Sequence, residues 1–317
     1  MRITQVSNVS NRKFAVCPNV AENKNKTYIN KNINPADTVV FEGKLHLKQY
    51  NPAYRFCMKL FERSQIASRR RFSPPIAELK GKINEIQIPL TGRRKITAYD
   101  INPDNTDKYI IFFHGTSQNI SNCQQIYNEF LKSKYAVLAP EYSGFGKNKT
   151  LMADEYTLEE DIAGSIRYLK KKKIKPANIG IVGHSLGGFA ATRVAEEIPQ
   201  ASFLILISPV NTLSYEVDNI DNNKKFKIPK LFQYIYKHYP RILNPLEKIF
   251  KTEERISKTR VPLYIIHSAN DNLIPVKSSK ALALKSKSLR ELVILDSGGH
   301  RLDESKLKTI HEILNKI

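Results

Sequence analysis

The stretch that decides the fold is residues 178–198, which read NIGIVGHSLGGFAATRVAEEI. It opens with the apolar run Ile179–Val182, turns between Gly183 and Gly187, and ends in a run of small residues. In that last run the apolar side chains recur at the three- and four-residue spacing of a helix. The pattern therefore predicts a short buried strand, a tight turn and a helix, in that order.

A single serine lies in the middle of this turn. Ser185 has one glycine two residues before it and another two residues after it. Glycine is needed there because the turn is too tight for Cβ atoms on the flanking residues. A strand, turn and helix of this kind form a nucleophile elbow, which lifts a serine hydroxyl above the sheet edge beside the positive end of the helix. We therefore predict that Ser185 is a nucleophile.

Strands and helices alternate along the chain on both sides of the elbow. Short, fully apolar strands between helices imply an α/β fold with a mainly parallel sheet and helices on both faces. Functional residues then lie at the carboxyl ends of the strands. The predicted strands are 83–90, 94–101, 109–113, 135–139, 179–182, 202–207, 263–266 and 292–295, and the predicted helices are 121–132, 157–173, 187–198, 278–284 and 303–315.

The same architecture predicts the base that activates Ser185. A serine hydroxyl needs an imidazole to take its proton and a carboxylate to hold that imidazole in the right tautomer. In this architecture the chain order is serine, acid, histidine. His300 directly follows the last strand through a turn with two glycines, so we predict that it is the base. His238, His267 and His311 are interpreted as packed or solvated residues.

The acid is expected in the loop after an earlier strand. Asp271 follows the strand that ends near His267, and it stands too far before the next helix to serve as its N-cap. We predict that Asp271 orients the base. Asp218 and Asp221 are the alternatives, and Asp296 is too near His300 in sequence to reach it easily.

Two backbone amides are expected to bind the oxyanion that forms when serine attacks a carbonyl. One is the N–H of Leu186, which follows the nucleophile, and the other comes from the loop after strand 109–113, where we assign it to Thr116. His114 and Gly115 of the same loop are predicted to line the substrate site. Gly115 allows the chain to turn, and His114 is interpreted as a packing and hydrogen-bonding residue rather than a proton carrier.

The composition of the chain gives no sign of a membrane span, a signal peptide, a disulfide framework or a zinc site. No apolar run is long enough to span a bilayer, and the first twenty residues lack the apolar core of a signal peptide. The three cysteines form neither a disulfide framework nor a zinc pattern, which suits a reducing compartment. We therefore expect a cytoplasmic protein without a metal or cofactor.

The net charge is +21, and the N-terminal quarter holds about half of it. Residues 1–80 carry 15 Lys/Arg against 5 Asp/Glu and are interpreted as a basic, partly flexible N-terminal extension. Within it, residues 53–68 have the pattern of a basic amphipathic helix, which either packs on its own domain or lies on an anionic membrane surface. A basic composition that only aids solubility explains the charge equally. No nucleic-acid-binding motif accompanies the charge, so no nucleic-acid partner is expected.

Five motifs give the chain a family resemblance. From about Lys82 to the C-terminus it resembles the α/β-hydrolase superfamily, in particular the branch of serine esterases, lysophospholipase-like enzymes and protein depalmitoylases. It departs from that branch by lacking an arginine in the loop after Pro140 and by having Ser268 where glycine is usual. The motifs are FFHGT (112–116), PEYSGFG (140–146), GHSLGG (183–188), HSANDNLIP (267–275) and SGGH (297–300).

The resemblance implies that residues 81–317 form a hydrolase domain, with a helical lid inserted at about 210–258. Aromatic side chains interleaved with lysines fill that insertion, which indicates an apolar cap over an acyl chain or a layer that only packs on the core. The expected function is cleavage of small acyl esters through an acyl-enzyme. Thioesters of acylated proteins and peptide or amide bonds are alternative substrates for the same three residues. A catalytically silent scaffold that binds a membrane or an anionic partner is the non-enzyme alternative.

Overall fold

The structure is a computed structural model that describes residues 72–148, 155–212, 234, 237–239 and 251–317. Most of the predicted N-terminal extension, including the helix predicted at 53–68, lies outside the described residues, and so does most of the predicted lid. The strands and helices named below all lie in the described part of the chain.

Eight strands form one mixed sheet with the order β1-β2-β4-β3-β5-β6-β7-β8. β1 pairs antiparallel with β2, β2 pairs antiparallel with β4, and every other neighbouring pair is parallel. The α/β class and the mainly parallel sheet are thus confirmed. The strands are β1 (Asn84–Pro89), β2 (Lys95–Ile101), β3 (Tyr109–Phe113), β4 (Ala136–Pro140), β5 (Ile179–His184), β6 (Phe203–Ile207), β7 (Leu263–Ser268) and β8 (Leu289–Leu295).

Helices cover both faces of this sheet, as the apolar strands predict. α2, α3, α4 and α5 contribute to one apolar cluster, and α1 and α6 contribute to a second cluster on the other face. The helices are α1 (Gln124–Lys132), α2 (Glu155–Lys171), α3 (Gly187–Glu197), α4 (Thr252–Lys258), α5 (Val276–Lys285) and α6 (Glu304–Leu314).

The central strands show why a fully apolar run forms a strand here. In β3, Ile111 and Phe113 enter the first cluster, while Ile110 and Phe112 enter the second. Successive side chains of a strand point to opposite faces, so a strand covered on both sides must be apolar at every position. All five residues of β3 are buried.

The parallel pairing brings four loops to one edge of the sheet. β3, β5, β7 and β8 all run in the same direction, because β3–β5, β5–β6, β6–β7 and β7–β8 are parallel pairs. Their carboxyl ends therefore meet at the edge where this type of fold builds its sites. The predicted site residues follow those four ends.

Two segments near the predicted domain limits pack on the sheet domain. Residues 73–79 lie against α1, where Ile76 N–H donates to Gln124 Oε1 (2.8 Å) and the Gln124 amide donates to the Pro74 carbonyl (2.8 Å). Leu79 is fully buried. At the end of the range assigned to the lid, α4 buries Ile256 in the first cluster.

Two further features are absent from the described ranges. No helix among the described residues is long and apolar enough to cross a bilayer. The same residues contain no group of three or more His, Cys, Asp or Glu side chains arranged to hold a metal ion.

Candidate active site

The turn between β5 and α3 is built from close backbone approaches. A Cβ atom on Gly183 would overlap the Gly187 carbonyl group, and one on Gly187 would overlap the Phe113 carbonyl group at the end of β3. Only glycine permits such approaches. The turn also requires Ser185 to adopt φ 54°, in the left-handed region that non-glycine residues seldom occupy.

The backbone of Ser185 is nevertheless well anchored. Its N–H donates to the Ile207 carbonyl at the end of β6 (2.8 Å), and its carbonyl accepts from the Gly188 N–H (3.0 Å). Because neighbouring strands and the helix fix this conformation, the side chain is presented at the carboxyl edge of the sheet. Ser185 is 5% exposed.

The three residues predicted to work together lie on one line of hydrogen bonds. His300 Nε2 is 2.9 Å from Ser185 Oγ, and His300 Nδ1 is 2.8 Å from Asp271 Oδ2. Ser185 is separated from His300 by 115 residues of chain, so the sheet and not local sequence brings them together. A neutral imidazole donating from Nδ1 to the carboxylate can accept the serine proton at Nε2.

The surroundings of Asp271 favour its ionised form. Its Oδ1 accepts from the N–H groups of Leu273 and Ile274, both at 2.9 Å, and its side chain is fully buried. Burial by itself raises the pKa of Asp271, but the hydrogen bonds from His267 and His300 outweigh it and hold that pKa well below its usual range. The carboxylate is therefore charged at neutral pH and can orient the imidazole.

The loop after β3 lies directly beside Ser185. A Cβ on Gly115 would come within 3.1 Å of the Ser185 Cβ, so the glycine allows this approach. The Gly115 carbonyl accepts from the Gln118 N–H (3.1 Å) and lies 2.9 Å from His114 Nδ1. In a trans peptide the N–H points opposite to the C=O, so these contacts fix the direction of the Thr116 N–H.

Leu186 provides the other predicted amide. It directly follows Ser185 and precedes the first residue of α3, with the helical angles φ −53° and ψ −35°. The first N–H groups of a helix have no acceptor within the helix and point outward along its axis. The Leu186 amide is therefore placed at the positive end of α3, next to the serine.

The fold agrees with that of known proteins. A family model described as the alpha/beta hydrolase fold matches residues 108–242, which contain the loop after β3 and the elbow. The chain has the α/β-hydrolase fold.

The proteins that this chain resembles differ widely from it in sequence. The uncharacterized protein YqkD of Bacillus subtilis is 26% identical over 247 residues, which are 73% of this chain and 78% of YqkD. The lysophosphatidylserine lipase ABHD12 of Danio rerio is 23% identical over 209 residues, 60% of this chain and 51% of that protein. Among solved structures, the Pyrococcus furiosus esterase Pf2001 superposes with a TM-score of 0.60 at 19% identity, covering 78% of this chain and 94% of the esterase.

The side chain of His114 lies inside the protein and contacts a buried carboxylate. Its ring is fully buried, with Nε2 2.8 Å from Glu141 Oε1, and Glu141 is fully buried as well. Tyr142 donates its hydroxyl proton to the His114 carbonyl (3.0 Å) and packs on the ring. The side chain therefore supports the loop that carries Gly115 and Thr116.

His267 contacts the predicted acid Asp271, and the sequence analysis did not predict this contact. It is fully buried, as expected of a packed residue, but its Nε2 lies 3.3 Å from Asp271 Oδ2. Its Nδ1 lies 2.7 Å from Ser279 Oγ. The position of His267 at the end of a strand, four residues before the predicted acid, is the signal that could have indicated this contact.

A second histidine connects two of the loops. His184 Nε2 lies 2.9 Å from the His300 carbonyl oxygen, and His184 Nδ1 lies 2.7 Å from Gln118 Oε1. Gln118 Oε1 also accepts from the Gly115 N–H (2.8 Å). Burial lowers the pKa of His184 to about 3, so the ring is neutral and its single N–H can donate to only one of these two oxygens. His184 and Gln118 therefore join the loop after β3 to the loop of His300.

Proposed function

We propose that this chain is a serine hydrolase that cleaves carboxylic esters through an acyl-enzyme. The observation that carries the proposal is the line of hydrogen bonds from Ser185 Oγ through His300 to Asp271 Oδ2. A buried carboxylate, an imidazole and a serine in this order are the parts that nucleophilic acyl transfer needs. Each contact is within ordinary hydrogen-bond distance.

In the first half of the reaction, Ser185 Oγ attacks the acyl carbonyl while His300 Nε2 takes its proton. The carbonyl oxygen becomes an oxyanion, which the N–H groups of Leu186 and Thr116 stabilise by hydrogen bonds. His300 then gives its proton to the oxygen of the leaving alcohol, and the C–O bond of the substrate breaks. The ionised Asp271 stabilises the imidazolium that exists between these two proton transfers.

In the second half, water replaces the alcohol. His300 Nε2 takes a proton from this water as the oxygen attacks the acyl-enzyme, and the same two amides hold the second oxyanion. Collapse of this intermediate breaks the bond to Ser185 Oγ, which recovers its proton from His300. The products are the carboxylic acid and the free enzyme, and no step requires a metal or a redox cofactor.

Two kinds of relative support an ester as the substrate. The structural neighbour from Pyrococcus furiosus is an esterase, and the relative from Danio rerio is a lysophosphatidylserine lipase. Together with the aromatic residues of 210–258 and the net charge of +21, this favours small acyl esters, including those of anionic amphiphiles. We further propose that the protein acts in the cytoplasm and that residues 1–80 supply any contact with an anionic membrane surface.

The decisive test replaces the nucleophile. Ser185→Ala should lower the hydrolysis of short p-nitrophenyl esters by about a millionfold, to the background rate. A fluorophosphonate probe should label the wild type at Ser185 and should not label the variant. Ser257→Ala, on α4 and outside the site, is the matched control and should keep both activity and labelling.

Two results would contradict the proposal in different ways. Undiminished esterase activity in Ser185→Ala would remove the serine from the mechanism. A wild-type protein that neither reacts with the probe nor hydrolyses any ester would favour the scaffold alternative. Rates on matched ester, thioester and amide substrates then assign the bond that is cleaved, with the ester expected to be fastest.

A further inference from the structure

The loop that carries His300 has little regular structure to hold it. Eight residues, 296–303, separate the end of β8 from the start of α6. Gly298 and Gly299 both have positive φ, 115° and 58°. A general base must nevertheless be held to within a fraction of an ångström of its working position. Contacts from outside the loop must therefore supply the precision.

Two side chains form hydrogen bonds with Gly299, the residue that precedes His300. The Lys306 ammonium donates to the Gly299 carbonyl (2.8 Å), and the Gly299 N–H donates to Asn270 Oδ1 (2.9 Å). Asn270 precedes the predicted acid Asp271, so this second contact ties the loop of the base to the loop of the acid. Both peptide groups of Gly299 are thus fixed, one by each side chain.

Lys306 occupies a position that is unfavourable for a lysine. Its side chain is fully buried, and burial of an ammonium costs free energy unless it is well paired. It is also the third residue of α6, near the positive end of the helix, where a cation is disfavoured. Burial accordingly lowers the pKa of Lys306. An apolar side chain of the same length would avoid these penalties, so packing alone does not explain the lysine.

One carboxylate partly offsets the buried charge and belongs to the same loop. Asp303 Oδ1 accepts from the Lys306 ammonium at 3.3 Å, and Asp303 is about one third exposed. A Cβ on Gly298 would overlap the Asp303 carboxylate, so the loop is folded tightly over this pair. The ammonium is therefore placed between the start of α6 and the peptide group that precedes His300.

From these contacts we infer that Lys306 is a positioning residue for His300, with Asn270 as its partner. The inference rests on the proposed function of Ser185, His300 and Asp271. Lys306 touches neither the substrate nor the reacting atoms, and it acts by fixing the Gly299 peptide and through it the His300 ring. Loss of this contact should impair the chemical step much more than substrate binding, because misplacing a catalytic group by about 1 Å can cost about a hundredfold in rate.

The test compares two lysines on the same helix. Lys306→Met removes the ammonium and keeps most of the aliphatic chain, while Lys308→Met makes the same change at an exposed position of α6. On a p-nitrophenyl ester, Lys306→Met should lower kcat by about 10- to 100-fold with KM within about twofold. Lys308→Met should leave both unchanged. Active-site titration with a fluorophosphonate normalises each rate to folded, reactive enzyme.

Two more variants separate positioning from folding. Lys306→Arg keeps a cationic donor and should retain more of kcat than Lys306→Met does. Asn270→Ala removes the other hydrogen bond to Gly299 and should also lower kcat. Asn270 is exposed. In the double variant the two losses should not multiply, because both contacts hold the same residue.

A spectroscopic measurement makes the inference testable without turnover. The proton shared by His300 Nδ1 and Asp271 should give a far-downfield NMR resonance in the wild type and in Lys308→Met, and this resonance should broaden in Lys306→Met. A folded Lys306→Met with wild-type kcat and an unchanged resonance would overturn the inference. If Lys306→Met does not fold, wild-type kcat in Asn270→Ala overturns it instead. A wild type without hydrolase activity contradicts the proposed function, and the resonance still decides the role of Lys306.

Discussion

The loops that carry Ser185 and His300 contact each other but are held in different ways. The Ser185 turn is fixed by backbone, since Gly183 and Gly187 pack against carbonyl groups where no Cβ fits. The His300 loop is fixed by side chains that reach it from other segments, namely Lys306, Asn270 and His184.

This difference decides which parts of the site a sequence can show. A backbone approach that only glycine allows leaves glycines at fixed spacing, so a short motif identifies the elbow. A side-chain contact such as Lys306 to Gly299 leaves no local pattern, because many residue types are compatible with a loop or a helix start. The two halves of the site should also fail differently when they are mutated.

Among the variants that disturb how the two loops are held, the largest effect is expected in the half built of side chains. Asp271→Asn should lower kcat by about ten thousandfold, which corresponds to about 5 kcal/mol, because an amide no longer holds the required tautomer of His300. The backbone of the elbow is unaffected by this change. Steady-state kinetics with p-nitrophenyl esters measure the loss, and fluorophosphonate labelling should slow in parallel.

Asp296→Asn is the matched control for that variant. Asp296 was set aside as the acid because it is too close to His300 in sequence, and its replacement should leave kcat within about twofold. A large loss in Asp296→Asn together with a small one in Asp271→Asn would transfer the role of the acid to Asp296.

The half built of backbone should show a smaller effect in free energy than Asp271→Asn. This effect should reduce stability as well as activity. Gly187→Ala places a Cβ on the Phe113 carbonyl group, so it should lower the free energy of unfolding by about 3 kcal/mol and displace the elbow from β3. Denaturant unfolding measures this change. Activity per folded molecule should fall too, since β3 leads into the loop of Thr116.

Gly188→Ala tests whether the effect is specific to the close approach. A Cβ there comes no nearer than 3.3 Å to the Pro209 Cβ, so a small shift accommodates it. Its loss of stability should be below about 1 kcal/mol, because alanine also favours the helix. Equal losses in Gly187→Ala and Gly188→Ala would contradict the account of the elbow as a backbone-limited turn.

The smallest effect concerns pH. The pKa of Asp271 in the folded protein lies below the value of about 3.9 expected in the unfolded chain. The ionised carboxylate therefore stabilises the folded protein above about pH 3.9. This stabilisation is lost as the pH falls towards the pKa of the folded protein. The free energy of unfolding of the wild type minus that of Asp271→Asn should therefore decrease on acidification below about pH 4. The slope should approach about 1.4 kcal/mol per pH unit.

Chemical denaturation between about pH 6 and pH 3 gives this difference, since most other titrating groups cancel between the two proteins. The exposed Asp104→Asn should show no such trend when it is compared with the wild type in the same way. A difference between wild type and Asp271→Asn that stays constant over this range would contradict the ionic stabilisation of Asp271.

Much of the fold follows from local chemistry. Fully apolar strands such as β3 and β6 must be covered on both faces, and their alternation with helices leads directly to a mainly parallel sheet. The carboxyl ends of parallel strands share an edge, so the order serine, acid, histidine was sufficient to select Ser185, Asp271 and His300. The structure brings these three together.

The contacts that support the site could not be predicted from sequence patterns. His267 was interpreted as a packed or solvated residue and His184 received no role, yet each contacts a residue of the site through a specific ring nitrogen. The buried pair of His114 and Glu141 joins two loops that are 27 residues apart in sequence. Such pairs depend on how the helices and loops pack, and no periodicity or motif encodes that packing.

The order of the strands has a consequence for the protein during its synthesis. β6, β7 and β8 are added to one side of β5 in the order in which they leave the ribosome, and β8 forms the edge. Ser185 follows β5, whereas His300 follows β8 and emerges 115 residues later. A growing chain therefore carries its nucleophile without a base until the outermost strand has docked. In the proposed mechanism, ester cleavage begins only when the sheet is complete, so Ser185 stays inactive in partly folded chains.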